Sequence, residues 1–484
     1  MSSSPAGPIV YITSGVVGYT NRFLPIGREL RRRGHAVSVL SPSPATVAAA
    51  EQEGLDAVQL VAQAAATAAL PPQPSWPGPI GRLARFVPGV ALGPRRAARE
   101  HWRARAAAMS DANELLDLLA RLQPRLVLTE AEEHRDIRVV LGAGYRLALF
   151  EDLYATRPDP GVPFPARSHH VPTGTRIDRL RSAARWQRFF AVEAVRRRAE
   201  RWWVDGADWH STLASLCDPE VLSAAGTSRR YLQFYDYRQL PHLRTVAPEL
   251  AFPGERSRPT ITGPVVDTER LPHGIDERFT ERWPALRAHR GAGGRLVYVT
   301  LGTFLQGLEE LTATVLEGCA GIDGVRVVAS VGADADRWRD RVVPAGVDVF
   351  GRVPQIEVLA GCDAVVSTGG LNTGHEAVWF GVPVLNIPVA GVDTAGNAAR
   401  AVHHGVGERL RRGEVSAEAV RASITRLLDD PSYRQRATAI GAGLRARDGV
   451  RGSGGRGRGA DRLRPALQVS RPATRGRSVR PGCR

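Results

Sequence analysis

The chain has 484 residues, 43% hydrophobic and 24% charged, enough for about two to four globular domains with sizeable cores. No run of 18 or more apolar residues occurs, which excludes a membrane-spanning helix, and "MSSSPAGPIVYITSG" lacks a charged n-region and a long h-region, so no signal peptide is expected. The net charge is +16, but residues 451–484 carry +9 of it and all 65 basic residues are Arg; such an Arg-only, Ala/Gly/Pro-rich chain reflects a GC-rich genome, and no nucleic-acid partner is expected.

In chain order, "PIVYITSG" (8–15) reads as a short apolar strand ending in glycine. "RFLPIGRELRRRGHAVSVLS" follows as a helix with an Arg-rich outer face, a C-cap at Gly34 and the strand "AVSVLS". The helical "DANELLDLLARLQP" precedes the strand "RLVLTE" (Arg125–Glu130), and "YRLALFEDLY" reads as the next strand. Strands alternating with helices predict a parallel sheet covered on both faces. The alternation breaks in the middle. There "RIDRLRSAARWQRFFAVEAVRRRAERWW" is a basic helix carrying Trp186, Phe189, Phe190, Trp202 and Trp203. It suits a core-facing helix with a solvated Arg face, or a surface lying on a membrane or lining an apolar pocket.

"APELAFPGERSRPTITGPVVD" is rich in Pro and Gly and reads as an interdomain linker. The alternation then restarts with "RLVYVTLGT", "VRVVASVG", "VDVFGRV", "DAVVST" and "VPVLNIPV". The fold class is therefore α/β, with two Rossmann-like doubly wound parallel-sheet domains in tandem. Residues 451–484 lack periodicity and are expected to be a disordered Arg/Gly-rich tail. Cys217, Cys319, Cys362 and Cys483 form no metal or redox spacing. No metal or cofactor is expected, and a reducing cytoplasm is the simplest compartment.

The densest signal is "STGGLNTGHEAVWFGVPVLNIP" (Ser367–Pro388). Ligands of doubly wound sheets bind outside the carboxyl ends of the strands. Gly369 and Gly370 allow a tight turn there, and Asn372 and Thr373 fall at a helix start, where free N–H groups favour an anion such as phosphate. A second glycine turn, at Gly302 and Thr303, follows "VYVTLGT" and could grip the other half of a diphosphate. A competing reading makes Thr373-x-x-Glu376 a capping box. No G-K-[ST] follows the glycines, so this is not a P-loop.

"GRVPQIEVLAGCDAVVSTGGLNTGHEAVWFGVPVLNIPVAGVDTAGNAARAV" resembles the donor-binding signature of the nucleotide-sugar glycosyltransferases that include plant and macrolide enzymes. "GYTNRFLPIGRELRRRGHAVSVLS" resembles that family's opening G-H-x-N-P…L-x-x-R-G-H-x-V. "VYVTLGT" and "FPGERSRPTITGP" match in order and spacing. The resemblance implies the two-domain GT-B fold, its domains facing a cleft. Residues 1–255 would bind the acceptor, 256–450 would bind the nucleotide sugar, and 451–484 would form the tail. It further implies that Val353 to Gln355 lie against the base. Gly302, Thr303, Gly370, Asn372 and Thr373 would line the diphosphate, Glu376 would accept from ribose hydroxyls, and Asp393 would hold the sugar. The implied reaction is sugar transfer from a UDP- or dTDP-sugar, as co-substrate, to a small acceptor, with inversion and without an essential metal.

Three positions depart from the family. Tyr19 stands where the family has its catalytic His, and a phenol with a pKa near 10 is a poor base at neutral pH. Glu130 occupies the position of the Asp that orients that His, and it, His134 or Asp136 could serve as base. Thr368 replaces a His facing the diphosphate, and Thr394 replaces the Gln of D-Q. The readings that follow are an active glycosyltransferase with an altered base, a non-catalytic relative that binds a nucleotide sugar or supports a partner enzyme, or an enzyme altering the nucleotide sugar itself. The aromatic, basic middle region favours a large apolar acceptor, of natural-product or lipid type, with peripheral membrane contact.

Overall fold

In a computed structural model, residues 7–68, 92–154, 169–203, 213, 215–226, 237–253, 263–270, 274–301, 308–338, 341–389 and 393–447 are described. In the first half, β1 (Ile9–Ile12), α1 (Val17–Arg32), β2 (Val37–Ser41), α2 (Pro44–Gln52) and β3 (Asp56–Gln59) alternate. Then come α3 (Val61–Ala68), α4 (Leu92–Ser110), α5 (Asn113–Leu122), β4 (Leu126–Glu130), α6 (His134–Gly142) and β5 (Leu147–Glu151). The long α7 (Arg176–Trp203) and the short α8 (Pro219–Ala224) precede the edge strand β6 (His242–Arg244). The six strands form one parallel sheet in the order β3-β2-β1-β4-β5-β6.

The second half repeats the plan. It runs α9 (Glu277–Gly291), β7 (Arg295–Thr300), α10 (Glu309–Ala320), β8 (Val325–Ser330), β9 (Val347–Phe350), α11 (Gln355–Gly361) and β10 (Ala364–Ser367). It closes with α12 (Leu371–Trp379), β11 (Val384–Asn386), α13 (Thr394–His403), β12 (Gly407–Arg409), α14 (Ala417–Asp429) and α15 (Pro431–Arg447). Its parallel sheet has the order β12-β11-β10-β7-β8-β9, the first sheet's order again.

Alternate side chains on each strand serve opposite faces. Val10, Ile12, Val127 and Leu149 join one core cluster, while Ile9, Tyr11, Leu128 and Phe150 join another. In the second sheet Leu296, Tyr298, Val328 and Val365 pack on one side, and Val297, Val299, Val327 and Val366 on the other. A sheet covered on both faces explains why these strands read as continuous apolar runs.

The strand order reverses between β1 and β4 in the first sheet, and between β7 and β10 in the second. Those are the two places where adjacent crossovers diverge and leave a crevice at the strands' carboxyl ends. The helix α7 buries Asp178, Ser182 and Trp186 at four-residue spacing and exposes Arg179, Arg181, Arg185 and Arg188. It also exposes Ile177, Leu180, Val192 and Val195. The surroundings of Trp202 and Trp203 lie outside the described residues, as does the tail at 451–484. The last described helix, α15, returns to the first half: Leu444 packs with Val246, Ala247 and Leu250, and Arg447 Nε bonds Glu249 Oε1. Among the described residues no helix is long and apolar enough to cross a membrane.

Candidate functional site

The glycine turn sits at the reversal point of the second sheet. β10 ends at Ser367, and α12 begins four residues later at Leu371. Gly369 has φ +81°, and a Cβ there would lie 2.6 Å from the Thr394 carbonyl oxygen. The turn is clamped on both sides. Gly369 N–H donates to Ser367 Oγ at 3.1 Å, and Asn397 Nδ2 donates to the Gly369 carbonyl at 3.0 Å. The N-cap of α12 is Gly370, and no side chain caps the helix. The capping-box reading is therefore wrong. Thr373 lies inside the helix, and Glu376 points to Arg270 Nη1 at 2.8 Å and Gln355 Nε2 at 2.5 Å. First-turn N–H groups without a side-chain cap are what an anion site needs. The partner turn at Gly302 and Thr303 lies outside the described residues. Its strand β7 pairs directly with β10, Thr300 opposite Ser367.

The other donor-site candidates surround this turn. Gln355 opens α11, accepts from Tyr298 Oη at 3.4 Å and donates to Thr373 Oγ1 at 3.5 Å. Val353 is half-buried against the same core, and Thr368 is buried beside the turn. Asp393 and Thr394 open α13. Asp393 accepts from Asn397 Nδ2 at 2.7 Å. Burial, then the nearby Asp152 carboxylate, push its pKa up to about 6.

Across the cleft lies the reversal point of the first sheet. Glu130 ends β4 beside the end of β1 and is 1% exposed. Its carboxylate accepts from Tyr11 Oη at 3.1 Å, Ser14 Oγ at 2.6 Å and Thr13 Oγ1. Burial raises its pKa to about 7 against the pull of these three donors. Glu130 thus joins two strand ends and presents little to a substrate. Tyr19, on the first turn of α1, is also buried. Burial and the charges of Asp152, Glu132 and Glu130 hold its hydroxyl well above the usual phenol range, so it stays a donor. The Asp152 and Glu132 carboxylates lie close to it. Burial, followed by the Asp152 charge, raises Glu132 to about 8, and burial raises Asp152 as well. The other two base candidates face inward. Asp136 pairs with Arg135 Nη1 at 2.6 Å, and buried His134 lies 5.7 Å from the Tyr237 ring.

One side chain ties the two edges together. Arg22 on α1 is 1% exposed; its Nε donates to Asn372 Oδ1 and its Nη1 to Thr245 Oγ1 at 2.8 Å. Asn372 Nδ2 donates back to the Gly18 carbonyl at 2.9 Å. The α1 and α12 starts therefore meet across the cleft. Arg22, Glu132, Asp152 and Arg270 were not anticipated from sequence. A signal existed for the first, because Arg22 stands where the G-H-x-N-P pattern has Pro. Arginine is so abundant here that an isolated one draws no notice. Glu132 and Asp152 lie just past their strands, in segments that sequence alone reads as polar loop.

Comparison with known proteins bears on the fold. Residues 313–448 match the family model "Erythromycin biosynthesis protein CIII-like, C-terminal domain". The chain is 26% identical over 217 residues to the uncharacterized UDP-glucosyltransferase YojK of Bacillus subtilis (strain 168), covering 42% of this chain and 52% of that protein. The chain spans about half the length of the curated relatives it matches. Among solved structures, the glycotransferase of kitacinnamycin is 20% identical with a TM-score of 0.62, over 96% of this chain and 100% of that one. Glycosyltransferase VinC in complex with dTDP is 20% identical with a TM-score of 0.55, over 95% and 100%.

Proposed function

From a chain that has the GT-B glycosyltransferase fold and an EryCIII-like C-terminal domain over 313–448, we propose a glycosyltransferase that moves a sugar from a UDP- or dTDP-sugar to a small apolar acceptor of natural-product type. The observation that carries it is the uncapped α12 start, with its Gly369–Gly370 turn, facing the Asp152–Glu132 pair across the cleft. One edge suits the diphosphate, and the other suits removal of the acceptor's proton. The names of YojK and of the VinC complex make UDP and dTDP the donors to test first.

In this reading Asp152 is the general base. Burial raises the Asp152 pKa, and Arg22 Nη1, 4.0 Å from Asp152 Oδ2, opposes that rise, while burial raises Glu132 to about 8. Two interacting carboxylates whose affinities are pushed apart can share one proton, so that one accepts while the other donates. Tyr19 holds the pair in place with its hydroxyl and does not take the proton. Glu130 fixes the floor beneath them. On the donor side, attack at the anomeric carbon with inversion expels the nucleoside diphosphate. Main-chain N–H groups at the start of α12 stabilise its negative charge. Glu376 meets the ribose by exchanging its bond to Arg270 or Gln355. We expect transfer to proceed in the presence of EDTA.

The test is a thermal-shift screen of UDP- and dTDP-sugars, followed by assay of nucleoside diphosphate release with and without apolar hydroxylated acceptors. A melting shift together with slow donor hydrolysis supports the proposal. Binding with neither hydrolysis nor transfer would mark a non-catalytic relative, and altered sugar stereochemistry an enzyme acting on the donor itself. No binding by any nucleotide sugar would remove the proposal.

A further inference from the structure

We infer that Arg22, contributed by the N-terminal half, is a phosphate-binding residue of the donor site and supplies the positive charge that Thr368 lacks there. The inference deepens the glycosyltransferase reading and rests on it.

Three observations converge on this residue. First, Arg22 is 1% exposed, and its only close carboxylate among the described residues is Asp152, at 4.0 Å. A buried guanidinium needs closer compensation than that, since burial of a charge is costly unless it is paired and hydrogen-bonded. Second, its five donors are only partly used. Nε is taken by Asn372 and Nη1 by Thr245, while Nη2 is buried without a hydrogen-bond partner among the described residues. A planar fork with one edge unfilled is suited to an oxyanion. Third, the fork lies against the first turn of α12, because its Nε bonds the second residue of that helix. The Arg22 cation thus lies beside the uncapped start of that helix.

Thr368, at the entrance to the turn, offers a hydroxyl and no charge. Arg22 would place beside the departing diphosphate a charge that Thr368 cannot supply. With it, charge is neutralised by a residue that reaches the donor site only when the two halves are closed on each other, as the Asn372–Gly18 bond holds them. Arg22 would thus couple closure to stabilisation of the leaving group.

Calorimetric titration separates the outcomes. The unmodified full chain, Arg22→Gln and Arg22→Lys are titrated with thymidine, dTDP, uridine and UDP. Gln keeps a donor toward Asn372 and removes the charge. We expect Arg22→Gln to weaken diphosphate binding by about 10- to 100-fold, as for loss of a charge-assisted hydrogen bond, and to leave nucleoside binding within about 2-fold. Arg22→Lys should fall between the two, because it restores charge without the fork. Equal losses for nucleoside and diphosphate, or no loss for either, would overturn the inference and leave the glycosyltransferase reading standing. Failure of the unmodified chain to bind either diphosphate would overturn both. Should Arg22→Gln not fold, a crystal of the unmodified chain with dTDP decides: Nη2 within hydrogen-bonding reach of a phosphate oxygen is the expected result, and a phosphate bound elsewhere overturns it.

Discussion

At Asp152 and Tyr19 the chemistry divides between a group that can take a proton and one that cannot. Removing the base should cost what general-base catalysis contributes, about 10²- to 10⁴-fold in kcat. Asp152→Asn is therefore expected to lose transfer on that scale while binding the nucleoside diphosphate normally. Tyr19→Phe removes only a positioning hydroxyl, so transfer should fall by less than about 10-fold, with a displaced pH–rate profile as the carboxylate pair loses its shared donor. If Tyr19→Phe were as damaging as Asp152→Asn, the phenol would belong to the proton path. Glu130→Gln tests a different property. Three hydroxyls converge on that carboxylate, and an amide nitrogen would face at least one of them. The expected result in chemical denaturation is a loss of about 1–3 kcal/mol. An unchanged midpoint would mean the hydroxyls reorient freely.

The α12 turn shows how far an element could be read ahead of its coordinates. The strand "DAVVS", the double glycine and the helix start were all legible, because apolar runs and left-handed turns are local properties of the chain. Gly369→Ala should therefore damage more than nucleotide binding. A side chain at φ +81° costs about 1–2 kcal/mol, and its Cβ would press on a main-chain oxygen at 2.6 Å, so loss of stability and of dTDP binding should appear together in denaturation and calorimetry. The capping box was misread for a physical reason. The S/T-x-x-E pattern counts spacing only, and here the helix begins two residues before Thr373, which frees Glu376 to meet Arg270. The strands β3, β6 and β12 escaped notice because they are three or four residues long and lie at or beside sheet edges. Their pairing comes from neighbours rather than from their own pattern. The contact between Arg22 and Asn372 spans 350 positions, and no local periodicity reports it.

For the molecule as a whole, folding gathers acidic groups from both halves into one crowded, poorly hydrated cleft, and pH should register this. Burial raises Glu132 and Glu133 to about 8, Glu130 to about 7 and Asp393 to about 6. Unfolded, these groups return to ordinary values near 4.5 for Glu and 3.8 for Asp. Between those values and about pH 8 the folded chain holds protons that the unfolded chain has released, so stability must decline as pH rises through that window. Buried His375 acts in the opposite sense. Its pKa is pushed well below 6.5 by burial and by the Arg22 charge, so the unfolded chain gains a proton first on acidification and stability falls below that pH. Four raised carboxyls outweigh one histidine, so between about pH 6 and about pH 8.5 the net effect is a decline in stability with rising pH. Denaturation at several pH values should show a melting point that is higher near pH 6 than near pH 8.5, and Glu132→Gln should flatten the alkaline slope because it removes one of the late-titrating groups. A melting point that climbs toward pH 8.5 would mean the cleft carboxylates are ionised and hydrated in the folded chain. The proton-sharing pair assigned to Asp152 and Glu132 would then have no basis.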